Sequence, residues 1–292
     1  MIKFFVVLVF ALLTSGIKAQ LIDIQYNYNS LGDCFFGAAN NTQTPLFLHL
    51  YFENLENAVF AEEQPYVKKL EPGFTSLFTL QNESENDAPI FIFKTKTFRS
   101  NPLADVNLDF PYLIPLEPGT TAHPFDVKNI DGFYGKETLK EWRASGFVVK
   151  PGQLVYSARR GQIVEITGKT RESKPETWYN TWTNSITLLQ EDGTLITYKN
   201  VVDKSGKLKL NQKIQAGDFL GEVASGTNEL ILLVYHNDLD KPEFDFIIPL
   251  FVISTDKTEI LNPSLNIEVI HPSEVKILEM TKREQKKFLK GK

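Results

Sequence analysis

Four histidines, His49, His123, His236 and His271, and one cysteine, Cys34, supply all the imidazole and thiol chemistry in 292 residues. The most suggestive grouping is His123-Pro124-Phe125-Asp126, a histidine and a carboxylate three positions apart. Nitrogen and oxygen donors of this kind suit zinc, which takes three protein ligands and keeps a fourth position for an acidified water. His49 lies inside the apolar run Pro45 to Phe52 and reads as a core or edge histidine. His236 precedes Asp238 and Asp240, a spacing that reads as a solvated turn rather than a calcium loop. No nucleophile elbow presents a serine, and no two carboxylates form a recognisable glycosidase pair. Cys34 has no intrachain partner, and Phe35-Phe36 directly after it point to burial. Trp178, Tyr179 and Trp182 stand in the polar stretch from 170 to 183. They suit stacking on a sugar or gripping a partner, and equally a loop tucked onto its own core.

These residues need a β framework. The chain is 42% apolar and 12% aromatic, with 22 Phe, 10 Tyr and 2 Met, a composition that favours strands. A net charge of -5 argues against a nucleic-acid binder. Residues 1–19 read as a secretory signal peptide: a basic start at Lys3, an apolar run from Phe4 to Leu13, and cleavage after Ala19. No other stretch has the length and apolarity to span a membrane as a helix. Residues 20–111 read as a β-sandwich-like module, with strands at Leu21–Tyr28, Pro45–Phe52, Tyr66–Leu70, Phe74–Leu80 and Ile90–Phe98 between Asn, Pro, Gly and Ser clusters. Lys136 to Arg143 reads as a short helical turn. From 112 to 255 the expected strands are Leu154–Ala158, Gln162–Thr167, Ile186–Leu189, Thr194–Tyr198, Leu208–Ile214, Phe219–Val223 and Glu229–Tyr235. Asp192-Gly193 is a hairpin signal between two of them. Residues 256–292 form a tail, with Glu274 to Ile277 alternating like a strand and Thr281…Glu284 at capping-box spacing before a short basic helix to about Leu289. The expected fold class is therefore all-β, two modules and a short C-terminal helix.

Several pieces of the second module resemble one family in order and spacing. Lys150-Pro151-Gly152-Gln153-Leu154-Val155-Tyr156-Ser157-Ala158-Arg159-Arg160-Gly161 is similar to a turn followed by G-T-P-V-x-A-x-x-x-G-x-V. Asp192-Gly193-Thr194 with Tyr198 resembles D-G-x-x-x-x-Y-x-H, and Gln215-Ala216-Gly217-Asp218-Phe219-Leu220-Gly221 resembles V-x-x-G-D-x-I-G. Ser225-Gly226-Thr227 and the following strand fall where G-x-T-G and H-L-H-F-E-V belong. These are motifs of the lysostaphin or LytM-type zinc endopeptidases, the duplicated-hybrid-motif fold, and the match covers residues 148–236. The resemblance implies a zinc held by a histidine, an aspartate and the second histidine of H-x-H, with two further histidines helping water attack a peptide bond. Carried over to this chain, those positions hold Trp142, Gly146, Asn200, Glu229 and Ile231. Tryptophan, glycine and isoleucine offer zinc no ligand. Asn200 can orient a water but cannot take its proton. On the expected strand that starts at Glu229, residues Glu229, Ile231 and Leu233 share one face, while His236 points with Leu230, Leu232 and Val234.

The resemblance and the missing donors together suggest an exported, non-catalytic envelope protein whose zinc-free, LytM-like domain is used for binding. Its candidate groove residues are Trp142, Tyr198, Asn200, Glu229 and Ile231, with Trp178 and Trp182 at the rim. No metal or other cofactor is expected. The implied partner is an envelope protein or peptidoglycan, at the periplasm or the cell surface. Activation of cell-wall amidases or an accessory place in an outer-membrane assembly would fit. Two rivals stand beside it: a working cell-wall metallopeptidase with another ligand set, and a purely structural envelope protein. The basic tail reads either as a solvated helix or as a docking arm for an acidic partner or membrane surface.

Overall fold

The computed structural model describes residues 21–84, 87–127, 143–168, 184–239 and 244–291. The chain is all-β apart from two short helices. The expected signal segment and the helical turn from Lys136 lie outside the described residues, the latter up to Trp142.

The first module packs two antiparallel sheets face to face. One runs in the order Ile22–Tyr28, Cys34–Asn40, Gly73–Asn82, Ala58–Val59. The other is Tyr66–Leu70, Leu46–Glu56, Ile90–Phe98, with the long Leu46–Glu56 strand in the middle. Alternation sends Phe36, Leu48, Leu50, Leu70 and Leu80 into the space between them. The Phe36 ring is central, stacked on Phe78 with centroids 4.8 Å apart and edge-on to Phe91 at 5.0 Å. Cys34 is a free thiol wholly buried in this core, and burial raises its pKa. The Glu71-Pro72 turn does not close a hairpin. It carries the chain from one sheet to the other, because Tyr66–Leu70 pairs with Leu46–Glu56 and Gly73–Asn82 with Cys34–Asn40.

The second module is built on an eight-stranded sheet. Its path runs Pro124–Asp126, Ser145–Val148, Glu229–Asn237, Leu195–Lys199, Ser185–Gln190, Gly161–Thr167, Lys213–Ile214, and Phe244–Ile247 pairs with Glu229–Asn237. A smaller sheet of Leu154–Tyr156, Phe219–Val223 and Val201–Val202 belongs to the same module. Phe147, Ile163, Ile186, Leu188, Ile196, Tyr198, Leu230, Leu232 and Val234 from the large sheet share one core with Val155, Leu220 and Val223 from the small one. The Asp192-Gly193 hairpin forms as its residues require. Gly193 takes φ 87°, and the Asp192 carboxylate accepts from Thr194 N–H at 3.1 Å and its hydroxyl at 2.7 Å.

Two strand expectations fail. Leu208–Ile214 shrinks to Lys213–Ile214, because Asp203 turns the preceding chain by accepting from Leu208 N–H at 2.7 Å and from the Ser205 hydroxyl at 2.6 Å. Glu274 to Ile277 is no strand but belongs with helix α1, Ser273–Lys276, followed by α2, Lys282–Lys290. The Thr281–Glu284 capping box is formed, with both its side-chain-to-backbone bonds present.

Two arginines fasten this tail to the second module. Arg159 is buried, lies 3.8 Å over the Phe110 ring, and pairs with Asp192 at 2.8 Å and Glu279 at 2.7 Å. Arg160, also buried, pairs with Glu191 at 3.0 Å and Glu284 at 3.0 Å.

Candidate functional site

Cross-strand register places the residues of interest in one row. Phe125 pairs with Gly146, Gly146 with Ile231, Ile231 with Lys199, Lys199 with Ser185, and Ser185 with Thr167. Residues opposite one another in a ladder point to the same face. The row therefore crosses the second face of the large sheet, opposite the core that holds Leu230, Leu232 and Tyr198; farther along this face Leu189 and Leu195 pack against Phe47 of the first module. Gly146 and Ile231, the positions to which the motif resemblance would assign an aspartate and the last zinc histidine, are direct neighbours in this row.

Neither can hold a metal, and the space is taken. A Cβ placed on Gly146 would fall 2.6 Å from the tip of the Phe125 ring and 2.7 Å from a Val127 methyl, closer than any stable contact. The phenylalanine ring lies where a carboxylate would project. Ile231 is 4% exposed and Leu233, two residues on along the same face, 1%. Hydroxyl pairs close the end of the row and its neighbours: Thr167 with Ser185 at 2.6 Å on the row itself, and Thr187 with Thr197 at 2.9 Å and Thr197 with Tyr235 at 3.1 Å beside it. These pairs satisfy buried hydroxyls and leave them occupied.

The candidate groove residues divide. Ile231 sits on the row, and Glu229 lies two residues earlier on the same face, opposite Val148. Asn200 ends the Leu195–Lys199 hairpin strand at φ 66°, a left-handed conformation that asparagine tolerates. Its amide donates to the Glu229 carbonyl at 2.9 Å and to the Thr227 hydroxyl at 3.3 Å, so it braces the loop that leads into Glu229–Asn237. Tyr198 requires a correction. It pairs with Leu232, not Ile231, and is wholly buried on the core face. Its hydroxyl accepts from Ala158 N–H at 2.7 Å and lies 3.4 Å from the Ser157 hydroxyl, and burial raises its pKa. Trp142, Trp178 and Trp182, with Tyr179, lie outside the described residues.

The residue of that strand which does face Ile231 is Lys199, missed by the motif reading. Simple alternation from Tyr198 would have placed it. Burial pushes its pKa down to about 7.

The histidines are scattered over different elements. His49 is in the Leu46–Glu56 strand of the first module, and His123 hydrogen-bonds Asn266 at 2.7 Å. His236 lies 3.9 Å from Asp245, and His271 bonds the Ile114 carbonyl at 2.8 Å, its pKa lowered by burial. Among the described residues no three of His, Cys, Asp and Glu come together as a metal-binding group. A cleft of about 300 Å³ opens at the Gly146 end of the row, edged by Phe125, Asp126, Arg143, Ile248, Ile260 and Leu261. A larger one, about 420 Å³, lies at the junction of the modules between Lys69, Glu71, Asp192 and Lys213 and does not touch the row. No described helix is long and apolar enough to cross a membrane.

No protein-family model matches the chain, and no curated protein matches it. Among solved structures 16 chains do. The catalytic domain of the antimicrobial peptidase lysostaphin from Staphylococcus simulans is 19% identical over 41% of this chain and 83% of that one, at a TM-score of 0.28. Helicobacter pylori Csd3 is 14% identical over 93% of this chain and 77% of that one, at 0.32. The M23 metalloprotease pseudoalterin is 11% identical over 56% and 97%, also at 0.32. The chain spans 38% of the length of the lysostaphin solution structure. The neighbours thus include lysostaphin and other M23-type peptidases, and the site rests on this chain's own residues.

Proposed function

We propose that this chain is an exported, non-catalytic envelope protein whose peptidase-like second module has been turned from cleavage to binding. The observation that carries the reading is the row Phe125–Gly146–Ile231–Lys199. Where the resemblance calls for a carboxylate and an imidazole around an open metal position, this chain has a glycine roofed by a phenyl ring beside a buried isoleucine. Peptide hydrolysis by that route needs an acidified water on a metal, and no donor set for it exists on the row. The binding surface left open is the cleft at the Gly146 end, where apolar Ile248, Ile260 and Leu261 meet Asp126 and Arg143. Such a mix suits a short peptide or the peptide stem of peptidoglycan.

The test is co-sedimentation of the purified mature protein with isolated peptidoglycan sacculi, alongside a muropeptide cleavage assay. The reading expects saturable binding, weakened at least tenfold by Leu261→Asp, and no cleavage. Cleavage that depends on His123 would replace it with a working metallopeptidase. A second reading, a purely structural module, is favoured by the near-complete burial of Ile231 and Leu233. It gains if neither sacculi nor envelope proteins are bound.

A further inference from the structure

The whole chain carries a net charge of -5, yet α2 concentrates positive charge. Lys282, Arg283, Lys286, Lys287 and Lys290 are spaced i, i+1, i+4, i+5 and i+8. At 100° per residue they fall within an arc of about 140°. All five are exposed, none makes an ion pair with a described residue, and together they line one shallow groove of about 340 Å³. The opposite side of the helix is held to the body. Glu284 pairs with Arg160, Gln285 donates to the Ile277 and Met280 carbonyls at 3.2 and 3.0 Å, and Thr281 caps the first turn. The helix is therefore presented in one orientation with its cations outward. The single acidic residue of α2, Glu284, is turned inward and neutralised. A helix that merely kept itself soluble would gain more from Glu–Lys pairs at i, i+4 on its open face, and this face has none.

We infer that the cationic face of α2 docks the protein onto an anionic phospholipid surface. Three observations favour lipid headgroups over other acidic partners. The face carries no aromatic or aliphatic anchor of the kind that dominates protein–protein contacts. Within the arc this holds for all five positions; Phe288 is half-buried, and Leu289, which is exposed, stands at the edge of the arc, about 20° outside it, where it can meet the acyl boundary below the headgroups. The groove has no built anion pocket, being walled by flexible lysine and arginine stems, so it selects charge density rather than shape. And the stripe is open to solvent and about 12 Å long, which lets several headgroups in a plane meet it at once. The inference does not depend on whether the second module is catalytic.

Each Lys or Arg close to an anionic membrane strengthens binding about fivefold, and the effect fades with salt. The experiment is co-sedimentation of the mature protein with vesicles of phosphatidylglycerol and phosphatidylethanolamine, and with vesicles of phosphatidylcholine alone. The expected result is binding to the first only, weakened strongly between low and high salt. Lys282→Gln, Lys286→Gln and Lys287→Gln combined should lower the affinity about 100-fold. The combined variant removes only exposed side chains, so an unchanged thermal midpoint reports intact folding. Lys257→Gln, a lysine of the body paired with Glu259, should leave vesicle binding unaltered. Equal binding to neutral vesicles, no binding to anionic ones, or full binding by the triple variant would each overturn the inference. Binding to soluble heparin but not to vesicles would reassign the face to a polyanion.

Discussion

Substituting Gly146 tests whether the Phe125 ring truly occupies the position of the missing ligand. In Gly146→Ala the new methyl must sit 2.6 Å from the ring tip and 2.7 Å from a Val127 methyl, so both must move by close to an ångström. Overpacking of this kind costs about 1–3 kcal/mol. Phe125 is only half-buried, so its ring can swing outward, which favours the lower part of that range, about 1–2 kcal/mol. For a domain of this size that corresponds to a fall in Tm of roughly 2–8 °C. The assay is a double-mutant cycle by urea denaturation and scanning calorimetry. In the Phe125→Ala background the clash with the ring is gone while that with the Val127 methyl remains, so the same glycine substitution should cost less than in the parent protein, by a coupling of about 0.5 kcal/mol or more, the order seen for residues in contact. If Gly146→Ala is neutral, or costs the same with and without the ring, then the ring does not fill the site and the account of the row fails.

Arg159→Ala should destabilise the protein by about 3–5 kcal/mol, because it leaves Asp192 and Glu279 without their buried partner. Limited proteolysis should then cut near 270–280 first, since Arg159 ties that segment down; an unaltered digestion pattern would argue against the anchoring role. Lys199 gives a pH signature. Its folded pKa of about 7 lies below the unfolded value, so between pH 7 and about 10 the unfolded chain holds the extra proton and stability rises with pH. Lys199→Met should flatten that rise and stabilise the protein most near and below pH 7. Equal slopes for the two proteins, read from urea midpoints across that window, would place the lysine in water.

Local signals carried the most information in this sequence. Asp192-Gly193 announced its hairpin because the turn chemistry is contained in four residues. Thr281 and Glu284 announced their helix start for the same reason. Alternation along Glu229–Asn237 correctly separated Ile231 and Leu233 from the core-facing Leu230, Leu232 and Val234. What depended on distant partners was not legible. Tyr198 looked like a groove residue by motif, but its side chain is claimed by Ala158 and Ser157 forty residues earlier. The Phe125 ring over Gly146 comes from a strand joined only through tertiary register. Arg159 finds Glu279 across 120 positions of sequence. Glu274 to Ile277 alternates like a strand, yet four residues carry too little pattern to outweigh a helical turn closed by backbone bonds from Lys276 and Ile277 to Pro272 and Ser273.

The most direct test of the central claim is a zinc titration of the purified protein without residues 1–19, followed by calorimetry and by metal analysis after dialysis. With Gly146, Ile231 and the Phe125 ring where ligands and open space would be needed, the protein should retain less than a tenth of an equivalent of zinc and show no shift in Tm on its addition. One tightly held zinc per chain, with a raised Tm that Gly146→Ala abolishes, would contradict the account.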